Sequence, residues 1–138
     1  MIEHNYNISP IKAVENDIED DCLYVFCSMW ENAGKGKDNV LCLEFLDTEE
    51  PGHPYRFKPE YALKILDFIS GSDVEDIFIC CDSGESRSTA ITAALVEMEG
   101  GDSSYIWEDK NYHPNKLVYD VMMDVINDSE KIKVKKSK

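Results

Sequence analysis

Cys81 and Arg87 are the side chains of this sequence best placed to do chemistry. They close the stretch Cys81-Asp82-Ser83-Gly84-Glu85-Ser86-Arg87-Ser88. Ahead of it, Ile77-Phe78-Ile79-Cys80 is a short apolar run rich in β-branched and aromatic residues, which suits a buried strand. Behind it, Thr89 to Val96 is alanine-rich and is bounded by Gly100 and Gly101, which suits a buried helix. A strand-to-helix turn of small residues aims successive backbone N–H groups into one concavity at a helix N-terminus, and such a concavity attracts anions. The same field favours a thiolate over a thiol. A guanidinium at the far end adds a planar fork that matches two oxygens of a phosphate. The spacing asks for phosphate, with a sulfur placed to attack it.

The elements that must position this loop are read from the rest of the chain. A short edge strand is expected near Tyr6 to Ile8, followed by Ser9 as helix cap, Pro10 as first helical residue and a helix to about Asn16. Leu23 to Cys27 is a second strand. Val40 to Leu46 is nearly continuously apolar, as an interior strand of a parallel sheet is. Pro59 opens an amphipathic helix that Gly71 ends. Tyr105, Ile106 and Trp107 are expected in the core, and a last amphipathic helix starts near Pro114. Strands alternating with helices predict an α/β fold, a single domain over 1–130 with a mostly parallel central sheet and helices on both faces. Ligands of such sheets gather beyond the carboxyl ends of the strands, where Cys81 and Asp47 would both lie.

The chain has 138 residues, a hydrophobic fraction of 43% and a formal net charge of −14. Such acidity argues against nucleic acid and against anionic membrane surfaces as partners. No apolar stretch is long enough to span a membrane, and the N-terminus lacks the features of a signal peptide. Five cysteines, two of them adjacent, do not make a disulfide framework, so a cytoplasmic protein is expected. Cys22, Cys27, Cys42 and Cys80 read as small core residues, with Cys80 and Cys42 as the candidate thiols for trapping an oxidised Cys81. No cysteine pair has zinc-ligand spacing and the three histidines are scattered, so no metal is expected. Residues 131–138 form a basic tail expected to be disordered.

Cys-Asp-Ser-Gly-Glu-Ser-Arg-Ser resembles the phosphate-binding loop of the cysteine-dependent protein tyrosine phosphatases, in particular the small dual-specificity type. The resemblance implies a phosphoprotein phosphatase that hydrolyses phosphotyrosine, and in some members phosphoserine and phosphothreonine, without a cofactor. It implies Cys81 as the nucleophile that becomes a phosphocysteine. Asp82, Ser83, Gly84, Glu85, Ser86 and Arg87 would hold the phosphate, and a free phosphate or sulfate would fit the same loop. Ser88 would stabilise the departing thiolate, its bland alternative being a first-turn serine. The family's general acid is an aspartate on an earlier loop; Asp47 matches by position, with Glu49 and Glu50 as rivals. Tyr112-His113-Pro114-Asn115 is similar to the Pro-Asn pair before the family's final helix, so Asn115 is either an accessory residue or a plain helix start. The chain departs from the family pattern at Cys80, where histidine is usual, and in the carboxylates of Asp82 and Glu85. A non-catalytic phosphate-binding module is the alternative.

Overall fold

The computed structural model describes residues 4–30 and 33–136, with side chains through residue 129. Four segments form strands: β1 (Asn5–Pro10), β2 (Leu23–Cys27), β3 (Val40–Leu43) and β4 (Asp76–Cys81). They make one sheet in the order β1-β4-β2-β3, and every pairing is parallel. The helices are α1 (Ile11–Val14), α2 (Pro59–Ile69), α3 (Arg87–Met98), α4 (Ser104–Trp107) and α5 (Lys116–Lys136). The parallel α/β architecture expected from the alternation of elements is present. The basic stretch 131–138 lies outside the residues whose side chains are described.

The two faces of the sheet are covered unequally. Leu23, Val25 and Cys27 of β2 and Ile77, Ile79 and Cys81 of β4 share one core with Ala62, Ile65 and Ile69 of α2, Ala90, Ile91, Ala94 and Leu95 of α3, and Val118 and Met122 of α5. The alternate residues Tyr24, Phe26 and Cys80 form a second core with Ile11, backed by Phe78 and Ile18. Three long helices therefore cover one face, and a single helical turn with its loops covers the other. α3 is buried from Arg87 to Val96, because β4, β1 and α5 all pack against it; its alanines let the sheet approach closely.

Four local expectations need correction. β3 is an edge strand, not an interior one; it reads as continuously apolar because both cores claim it, Leu43 on one face and Val40 on the other. It also ends at Leu43 and not Leu46. Phe45 turns out of the strand and packs against Phe57 at 4.8 Å and Tyr61 at 5.9 Å between ring centroids. Pro10, not Ser9, precedes the first helix as its cap residue, since Pro10 is still held in register opposite Cys81. Of the expected core trio only Ile106 is fully buried; Tyr105 and Trp107 are 54% and 38% exposed. Trp107 instead lies edge-on to Tyr119 and donates its indole N–H to Ser103 Oγ at 3.2 Å.

Candidate active site

Cys81 ends β4 between two register partners, Pro10 of β1 and Cys27 of β2. The chain then turns through Asp82 to Ser86 into α3. Gly84 makes that turn possible: its φ is +71, and a Cβ there would lie 2.7 Å from Pro10 N and 2.9 Å from Pro10 Cδ. Only glycine takes this conformation without strain and leaves that gap. The end of β1 is therefore a buttress under the loop, a role invisible in the sequence because nothing near Pro10 signals a contact with residue 84.

The sulfur of Cys81 is fully buried, 3.2 Å from Ser88 Oγ. Burial is the largest single influence on this thiol and raises its pKa. The Ser88 hydroxyl and the backbone N–H groups of Ser88, Ser86 and Gly84 oppose it, and together they hold the pKa below the ordinary value of 9.0. This is hydrogen bonding to the charged form overcoming desolvation. Ser86 takes part in another way. It stands at the cap position of α3 yet makes no side-chain cap, because its hydroxyl donates to Asp47 Oδ1 at 2.8 Å.

Arg87 is buried at the start of α3. Its Nη1 donates to the carbonyl oxygen of Phe45 at 2.8 Å, and its Nη2 pairs with Asp82 Oδ2 at 3.0 Å. The guanidinium lies 5.9 Å from the centre of the Phe45 ring. Its Nε is buried and has no hydrogen-bond partner. A buried donor without a partner costs about 1–3 kcal/mol, so this edge of the fork is poised for an acceptor.

Asn115 ties the opposite wall to the loop. It is almost fully buried, and each of its polar groups is used. Its Oδ1 accepts from Val118 N at 3.0 Å, which caps α5 in the manner expected of a helix-start asparagine. Its Nδ2 donates to Asp47 Oδ1 at 2.7 Å and to Thr48 O at 3.1 Å, while its backbone N–H donates to Ser86 O at 3.1 Å. His113 N–H adds a bond to Glu85 O at 2.8 Å. Both donors to Asp47 meet Oδ1, which leaves Oδ2 the freer oxygen. Glu49 is engaged elsewhere, accepting from Lys116 N–H at 2.7 Å. An open depression beside the loop is lined by Asp47, Thr48, Glu49, Glu50, Ser86 and Tyr112–Asn115.

The structure thus gathers Cys81, Arg87, Ser88, Asp47 and Asn115 at the carboxyl edge of the sheet. Asp82, Ser83 and Glu85 lie on the exposed outer side of the loop. Cys80 points into the other core, and it is Cys27, not Cys80 or Cys42, that adjoins Cys81 on the same face. All five thiols are free. Among the described residues the metal-ligand types cluster only at Glu19, Asp21 and Cys22, at the opposite end of β2 from Cys81. No helix among those residues is long and apolar enough to cross a membrane.

No protein-family model matches the sequence, and no curated protein matches it in sequence. Solved structures do. A crystal structure of PTPMT1 covers 96% of this chain and 96% of its own at 15% identity and a TM-score of 0.60. PTPMT1 in complex with PI(5)P covers 90% of each chain at 12% identity and a TM-score of 0.59. A human tyrosine phosphatase-like serine/threonine/tyrosine-interacting protein covers 90% of this chain and 84% of its own, at 16% identity and a TM-score of 0.53. At these identities the likeness is one of fold. The chain has the α/β fold of the small dual-specificity phosphatases.

Proposed function

We propose that this protein is a cysteine-dependent phosphatase that hydrolyses phosphotyrosine in proteins, with phosphoserine and phosphothreonine as lesser substrates. The observation that carries the reading is the Cys81 thiol, held below its ordinary pKa in spite of full burial by Ser88 and the loop N–H groups. The thiolate attacks phosphorus as the ester oxygen leaves, and Asp47, protonated on Oδ2, gives that oxygen its proton. Loop N–H groups and Arg87 hold the equatorial oxygens through the transfer. Water, deprotonated by Asp47, then attacks the phosphocysteine; the bond to sulfur breaks, and Ser88 stabilises the departing thiolate. Asn115 acts on Asp47 as a positioning residue. Five free thiols suit a reducing compartment such as the cytoplasm.

A second reading, a phosphate-binding module without turnover, is favoured by one observation: the Asp82 carboxylate already occupies Arg87 Nη2. Turnover of a small aryl phosphate by the wild type beside Cys81→Ser decides between them. Activity in the wild type alone supports the phosphatase. Inactivity in both, with vanadate bound by both, supports the module.

A further inference from the structure

The ring of charge around the loop is one-sided. Asp82 and Glu85 belong to the loop, and Asp47, Glu49 and Glu50 belong to the facing wall. Arg87 is the loop's own cation. Its Nη1 is committed to Phe45 O, its Nη2 to Asp82, and its Nε to nothing. With Nη1 committed to Phe45 O, a phosphate that engages the fork through two oxygens does so along its Nε–Nη2 edge. The first is open, and at the second an incoming phosphate competes with the Asp82 carboxylate already paired there. Cys81 has no exposed surface, so a substrate must in any case rearrange the mouth of the loop to reach the sulfur.

Resting on the reading of Cys81–Arg87 as a phosphate site, we infer that Asp82 is a specificity-determining residue that selects phosphopeptides carrying arginine or lysine beside the phosphorylated residue. Binding is an exchange of ion pairs. The phosphate takes Nε and Nη2 of Arg87, and the displaced Asp82 carboxylate, left beside a dianion, takes a cation brought by the substrate. Asp82 is placed to make the exchange: its side chain is 38% exposed, and the ion pair it would give up is the one with Arg87. Without that cation the released carboxylate faces like charge from the phosphate and from Glu85, which disfavours the bound state. The same arrangement opposes a phosphoinositide, whose other phosphate charges bring anions to an anionic rim.

The test uses phosphotyrosine peptides that differ only in the flanking residue: arginine, alanine or aspartate. kcat/KM is measured with the wild type, and Kd with Cys81→Ser protein, so that binding is read even where turnover is not. Each step from arginine to alanine to aspartate should weaken both by about three- to fivefold, the scale of one partly exposed ion pair. Asp82→Asn should raise kcat/KM for the alanine and aspartate peptides and shrink the arginine-to-alanine ratio to under about twofold. A flat wild-type series overturns the inference, as does an undiminished ratio in Asp82→Asn. So does tighter binding of a soluble phosphatidylinositol monophosphate than of the arginine peptide. A graded Kd series without turnover would leave this inference standing and defeat the phosphatase reading. Turnover with a flat series would do the reverse.

Discussion

Cys80 and Cys81 are neighbours on one strand, both fully buried, and their thiols are driven in opposite directions. Cys80 faces the core of Tyr24 and Phe26, where burial first, and the neighbouring Cys81 second, push its pKa up to about 12. Cys81 faces the helices, where burial is as severe but Ser88 and three backbone N–H groups aim at the sulfur, and its pKa is lowered. Depth is therefore not what separates an inert thiol from a reactive one. The difference is the turn that follows, which offers hydrogen bonds to only one of two adjacent residues.

The sharpest way to break this contrast is to remove each sulfur. Cys81→Ser should cut aryl-phosphate turnover by about 10⁴-fold or more. Cys80→Ala should cost about 1 kcal/mol of stability and leave kcat/KM within about twofold. A comparable loss of activity at Cys80 would mean that the two faces are coupled. Next in size, Asp47→Asn should slow substrates with poor leaving groups by about 10²–10⁴-fold and those with good ones far less. Asn115→Ala should repeat that leaving-group pattern at about tenfold, and its effect should largely vanish in an Asp47→Asn background, as for a residue that acts through another.

The thiols also differ in the sign of their effect on stability. A raised pKa stabilises below the unfolded value and is lost as pH climbs toward the folded one. Cys80 should thus cost roughly 1.4 kcal/mol per pH unit between about 9 and about 12. Cys80→Val should flatten that limb in urea midpoints, with part of it remaining because Cys27 is raised by burial as well. Cys81 contributes oppositely, adding stability as pH rises through its lowered value toward 9.0. The smallest effect concerns Ser88. The acid limb of kcat/KM follows formation of the thiolate, so Ser88→Ala should move it to higher pH, by about one unit or less since the N–H donors remain. An unmoved limb would assign the lowering to the backbone alone.

Much of this site is legible in the sequence because it is local. A β-branched run, a glycine, an arginine and an alanine-rich helix fall within twenty residues and define a strand, a turn and an anion-binding helix start. Parallel topology then brings Asp47 to the same edge. What escaped is set by distant packing. Nothing near Phe45 announces that it leaves its strand to give Arg87 a carbonyl. Asn115 reads as a helix cap, and it is one, but its amide also spans to Asp47, which only the folded chain reveals. Periodicity could not tell the exposed Tyr105 and Trp107 from Ile106, because a single helical turn is too short to carry a pattern. The partition of β3 between two cores explains why an edge strand has an interior strand's composition.

The contact between Pro10 and Gly84 has a consequence for how activity appears during folding. The loop takes its shape against a strand from the other half of the chain, docked in parallel, and parallel pairing across such a separation is slow to form. Helix content should return early in refolding, with α3 and α5 recovering far-ultraviolet signal before β1 joins the edge of the sheet. Catalytic competence should lag behind and track β1 alone. Recovery of aryl-phosphate hydrolysis would then serve as a clock for the closing step of assembly, and Gly84→Ala would silence that clock without delaying the helices.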